Sequence, residues 1–142
     1  MSFTTVRFVD TDILLYAISR DPEERSKAET ANAILAAGDV GLSVQVLQEF
    51  YVQATRESRN DPLGHDQAAL LVESFLRFPV QEVTVAVMTA AFSTRSRFGI
   101  SYWDAAVIEA ARVLGCEVLL SEDLADGGNY AGVRVENPFG RG

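Results

Sequence analysis

Apolar and polar positions along this chain fall into two alternating rhythms. Short β-branched runs at residues 6–9, 40–44, 80–85, 118–120 and 132–135 predict strands, the fourth of them a short strand of the buried type. Longer stretches of helical pattern fill the gaps: 10–19, 22 to about 37, one after the second strand to about 59, 67–77, 86 to about 97, and 102–114. Pro22 suits a first helical turn, Gly38 a helix end, and the 59–64 segment with Pro62 and Gly64 a loop. Strands separated by helices predict a mostly parallel sheet of four to five strands covered on both faces, with no repeat or linker dividing residues 1–142.

The first transition breaks the rhythm. In FVDTDILLYA two aspartates, Asp10 and Asp12, interrupt an apolar run where a strand turns into a helix. A carboxylate is costly in a forming core unless it is paired, hydrogen-bonded or bound to a metal. In a parallel sheet, ligands bind outside the carboxyl ends of the strands. Three further acids reach that edge: Glu49 in LSVQVLQEFY, Asp104 in ISYWDAAVIEAA and Asp123 in LLSEDL. Each has an ordinary reading on its own. Asp10 suits a helix N-cap, Glu49 a solvated helix face, Asp104 a capping box with Ser101, and Asp123 a turn cap. Those readings do not explain why all four converge. Hard oxygen ligands without a nearby cation suit Mg²⁺ or Mn²⁺, and two such ions about 3.5–4 Å apart activate water for phosphodiester hydrolysis.

Charge and composition narrow the choice. A formal charge of −8 argues against a passive nucleic-acid-binding module, which should be basic, but not against an enzyme whose acids hold cations. Of the 12 basic residues only Lys27 is a lysine; the rest are arginines, suited to phosphate. Arg95 and Arg97, ahead of the Asp104 helix, are candidate phosphate contacts, or else an exposed helix face. A single cysteine, Cys116, excludes an intramolecular disulfide and reads as a small buried residue. His65, the one histidine, has no evident partner and reads as exposed. Trp103 reads as a packing residue in preference to a stacking platform, and Asp126 as part of a turn in preference to an extra acid of the cluster. With no signal sequence and nothing near the ~20 apolar residues of a membrane span, the expectation is a cytoplasmic protein.

FVDTDILLYA, LSVQVLQEFY, ISYWDAAVIEAA and LLSEDLADGGNYAGVRVENPF together resemble a PIN-domain ribonuclease, closest to the VapC toxins of type II toxin–antitoxin (VapBC) pairs. The resemblance implies a single PIN domain of α/β/α layers. It gives Asp10, Glu49, Asp104 and Asp123 the catalytic, metal-binding roles, with Thr11 and Ser121 supporting them; Asp12 is the candidate third supporting residue, at a position where the chain departs from the family. It further implies a Mg²⁺- or Mn²⁺-dependent endoribonuclease toxin acting on structured RNA such as tRNA, a homodimer, and a VapB-type antitoxin that silences it. The family usually carries Asn where this chain has Asp12; the acid is either an outer ligand or a first-turn residue favoured by the helix dipole. Two alternatives stay open. A haloacid dehalogenase-like phosphohydrolase would use Asp10 as nucleophile but needs a lysine after a later strand, whereas Lys27 is early. An inactive interaction module would be expected to have lost the acids.

Overall fold

The computed structural model describes residues 7–140. Its strands are β1 (Arg7–Val9), β2 (Val40–Ser43), β3 (Val80–Gln81), β4 (Val118–Leu120), β5 (Asn129–Tyr130) and β6 (Val133–Glu136). The helices are α1 (Thr11–Ala17), α2 (Arg25–Ala37), α3 (Val44–Thr55), α4 (His65–Phe75), α5 (Val85–Phe98) and α6 (Tyr102–Val113), with a 3₁₀ turn at Pro22–Glu24. They form one sheet in the order β3-β2-β1-β4-β6-β5, parallel except where β5 pairs antiparallel with β6.

Successive side chains of a strand point to opposite faces. All residues of β2 and β4, and Phe8 and Val9 of β1, are buried, so helices must cover the sheet on both sides. This is the expected three-layer α/β/α arrangement. Phe8, Val9, Leu42 and Leu119 from the sheet meet Ile13, Leu14, Phe50 and Ile108 from the helices in one core cluster. Each such fully buried side chain contributes about 1.5–3 kcal/mol relative to exposure.

The sheet has six strands rather than four to five, because the chain doubles back at Ala131 and Gly132, both at positive φ, to add β5. Helix caps account for the shortened strands. The Ser43 hydroxyl accepts the Val46 N–H at 3.2 Å, which moves Val44 into α3. Thr84 does the same for Val87 at 3.1 Å, so β3 ends at Gln81 and Val85 opens α5. Ser/Thr at these positions satisfies an otherwise orphan helix donor. The helix after β2 stops at Thr55, and α4 begins at His65 and ends at Phe75. Val6, expected in the first strand, lies outside the described residues.

The strand order creates the crevice. From β1 the chain moves outward to β2 and β3, then returns to lay β4 on the other side of β1. Connections diverge at the β1/β4 boundary, which is where open α/β sheets place their ligands.

Candidate active site

Asp10 immediately follows β1 and Ser121 immediately follows β4, so the two meet at that boundary. The Asp10 N–H donates to the Leu120 carbonyl at 3.0 Å, continuing the strand pairing one step. Its side chain caps α1: Oδ1 accepts the Thr11 N–H at 2.8 Å and Oδ2 accepts the Ser121 hydroxyl at 2.9 Å. Ser121 is fully buried and its oxygen also accepts the N–H groups of Asp123 (3.1 Å) and Leu124 (3.4 Å). One hydroxyl thus sets the Asp10 carboxylate and the turn that carries Asp123.

Asp12, in the first turn of α1, reaches across to the same turn, its Oδ2 accepting the Glu122 N–H at 2.6 Å. Its other oxygen is buried without a hydrogen-bond partner among the described residues. Such an orphan acceptor is unfavourable in water-poor surroundings and is a natural place for a cation. One oxygen from each of Asp10, Asp12 and Asp123 lies within 4.8 Å of the others. Glu49 and Asp104 stand outside that trio but line the same cleft of about 170 Å³, with Thr11, Leu15, Gln45, Gln53, Trp103 and Val107. The Glu49 carboxylate is held from both sides, by the Thr11 hydroxyl at 2.9 Å and the Gln45 amide at 3.1 Å. Asp104 sits in the first turn of α6, its N–H donating to the Ser101 hydroxyl at 3.0 Å.

Among the described residues, no lysine, arginine or histidine lines this cleft. Burial is the main reason the Asp10 carboxyl is pushed up to about 6, with the charges of Asp123 and Glu49 adding and the bonds from Thr11 and Ser121 opposing. Asp12 rises to about 7, again chiefly by burial and then by the charge of Asp10. Asp123 is also raised, by desolvation and by Glu122, Asp104 and Glu49. Near neutral pH the cluster carries charge it cannot solvate well. A divalent cation would relieve all three groups at once. A larger hollow of about 360 Å³ near α1's end lacks this property, since Arg20 and Arg59 line it together with its acids.

The arrangement revises several sequence expectations. Asp12 is in the carboxylate trio, not merely a first-turn acid. Trp103 is not a packing residue: the residue is 63% exposed and forms part of the cleft wall. His65 is exposed but has a partner, its Nδ1 lying 2.7 Å from the Tyr51 hydroxyl. Lys27 is bound to Glu122 and Tyr16 and does not line the cleft, leaving Asp10 without the lysine a phosphoaspartate would need. Arg95 and Arg97 are exposed on the last turn of α5, outside the cleft wall. Cys116 is buried, and Asp126 accepts the Asn137 N–H at 2.9 Å within the closing turn. Sequence reasoning missed Gln45, whose amide also reaches the Trp103 carbonyl at 3.3 Å and joins α3 to α6. Its spacing of four residues from Glu49 was the available signal.

Solved structures share this architecture. VapC20 of Mycobacterium tuberculosis, a sarcin–ricin-loop-cleaving toxin, superposes with a TM-score of 0.64 at 22% identity over 82% of this chain and 89% of its own. A toxin–antitoxin complex from Klebsiella pneumoniae gives 0.67 at 18% identity, covering 93% and 97%. DNA-bound VapBC of Salmonella typhimurium gives 0.65 at 19%, covering 94% and 98%. No curated protein matches the sequence significantly. The sequence profile of the PIN domain matches residues 7–125, nearly the whole span from β1 through the turn after Asp123. With the acids gathered at the β1/β4 boundary and the profile running through all of them, the chain belongs to the PIN domain family.

Proposed function

We propose that this protein is a metal-dependent endoribonuclease, the toxin of a type II toxin–antitoxin pair, which hydrolyses phosphodiester bonds of structured RNA such as tRNA. The observation that carries the reading is the trio Asp10, Asp12 and Asp123, with a buried oxygen on Asp12 that has no partner, and a cleft that has no basic residue, among the described residues. In this reading Asp10, Glu49, Asp104 and Asp123 are the catalytic metal-binding acids, with Asp12 beside them. Mg²⁺ or Mn²⁺ held there would act as a Lewis acid, lowering the pKa of water and offsetting charge on the leaving oxygen.

The chain's own residues do the positioning. Ser121 and the Thr11 N–H orient Asp10, while the Thr11 hydroxyl and Gln45 orient Glu49. Arg95 and Arg97, exposed on the last turn of α5, form no ion pair among the described residues and are the candidate contacts for RNA phosphates. The relatives support the biological setting: one is an RNA-cleaving toxin, and others are toxin–antitoxin complexes. By analogy we assign a VapB-type antitoxin partner, a homodimer and a cytoplasmic setting; no described helix is long and apolar enough to cross a membrane.

The test is incubation of the purified chain with total tRNA and Mn²⁺, followed by mapping of new 5′-phosphate ends. Cleavage that disappears with chelator and in Asp10→Asn and Asp104→Asn is the expected result. Intact RNA at millimolar metal, with a folded protein, would refute the reading.

A further inference from the structure

Next to the acidic cleft, and sharing Gln45, Glu49, Gln53 and Trp103 with it, is an open hollow of about 300 Å³ that also takes in Gln48 and Val52. Its chemistry differs from the cleft's. Apart from Glu49 it presents three glutamines, a valine that is 54% exposed and Trp103, a residue 63% exposed. Leaving so large an aromatic surface in water forgoes the burial that a packing role would supply.

The indole is nonetheless held in place. Its ring meets Tyr102 edge-on, with centroids 5.0 Å apart and planes at 78°. Tyr102 is in turn 5.5 Å from Phe92 of α5. The Trp103 carbonyl is tied to α3 through the Gln45 amide, which also holds Glu49. A supported ring with an open face, one residue from Asp104, is placed to receive a planar group at a set distance from the acids.

Electrostatics identifies the kind of group. The protein is acidic overall, and among the described residues its five cleft acids have no basic neighbour in the lining, so the phosphate backbone gains little from counterion release at this point. A strand that must pass close to those acids needs a neutral source of affinity. Base–aromatic stacking is such a source, since every nucleobase offers a π-face. Glutamine amides carry both donors and acceptors, which match base edges and not phosphates.

We propose that Trp103, with Gln48, Val52 and Gln53, forms a subsite for one unpaired RNA base beside the carboxylate cleft, Trp103 stacking on the base and the glutamines reading its edge. The inference rests on the ribonuclease reading for its substrate class. It adds a determinant that would favour unpaired over duplex RNA, because a stacked base in a helix has no free face.

Trp103 is the sole tryptophan, so intrinsic fluorescence reports on this position alone. The wild-type chain in chelator is titrated with a decamer of oligoadenylate and with a decamer of the same backbone lacking bases. Saturable quenching by the first and none by the second is the expected result. In Mn²⁺, Trp103→Ala should raise KM about tenfold or more with kcat changed by less than about twofold, and Trp103→Phe should recover most of the loss. Equal quenching by the abasic strand, or none by either, overturns the subsite. So does emission that shifts with protein concentration in the absence of RNA, which would mean that a second copy covers the indole. Unchanged KM in Trp103→Ala, with wild-type cleavage intact, sinks the subsite and leaves the nuclease standing. If wild type cleaves no RNA, the nuclease reading falls, and the quenching titration still decides whether bases bind here.

Discussion

Replacing Asp12 by Asn is the most informative single change, because it removes a charge and keeps the shape. The amide oxygen can still accept the Glu122 N–H that Oδ2 accepts at 2.6 Å. In the folded protein burial and the neighbouring Asp10 push the Asp12 carboxyl up from 3.8 to about 7. Between those two values the folded chain keeps a proton that the unfolded chain releases, so stability falls as pH rises through the window and the full cost is present above about 7. At about 1.36 kcal/mol per pKa unit the bound is roughly 4 kcal/mol above pH 8, and under 2 kcal/mol at about pH 5. Asp12 is only partly buried, and solvent screening reduces these to roughly 2 and 1 kcal/mol. The assay is urea unfolding of both proteins in chelator at about pH 8 and about pH 5. Asp12→Asn should be more stable than wild type at both, and the gain should be larger at the higher pH. A variant less stable than wild type at pH 8, or a gain that does not grow with pH, would refute the account of Asp12 as an unrelieved buried charge. With Mn²⁺ added the order should narrow or reverse, because wild type has the charge that the cation satisfies.

Three further outcomes follow from the same geometry. Mn²⁺ at about a hundred times its dissociation constant should stabilise wild type by roughly 2.7 kcal/mol, and Asp123→Asn by clearly less; equal shifts in melting temperature would count against the site. Ser121→Ala strips Asp10 of one donor and leaves the Asp123 and Leu124 N–H groups without their acceptor, for a loss of about 1–3 kcal/mol read by denaturant midpoint. Away from the site, the buried Glu109 accepts Thr94 and Arg112, and Arg112 continues to the Tyr130 and Ala131 carbonyls. Glu109→Ala should therefore cost about 2–4 kcal/mol while RNA cleavage measured well below the new melting temperature stays near wild type; a selective loss of cleavage would contradict its structural assignment.

What was legible in the sequence was whatever depends on local spacing. The strand–helix alternation gave a parallel sheet, and that alone located the functional edge, because parallel strands all end on the same side. The positions of Asp10, Glu49, Asp104 and Asp123 relative to their strands and helices followed from the same rhythm. Element ends were less legible, since Ser43 and Thr84 decide them by single hydrogen bonds that compete with β-propensity at Val44 and Val85. The strand order was not available either, nor was the doubling back that makes β5. The resemblance sets Asp10 apart from Asp12 by role, but what each carboxylate meets is decided by tertiary structure. Beyond capping α1, Asp10 is buried at the β1/β4 boundary and bonded by Ser121, while Asp12 meets Glu122, 110 positions away, with one oxygen left unpartnered among the described residues. Neither fact has a local signature, because each depends on β4 lying beside β1. The same holds for Trp103, which a local pattern assigns to packing by residue type. Its exposure and its place on the cleft wall exist because α3 and α6 converge, with the Gln45 amide of α3 donating to the Trp103 carbonyl of α6.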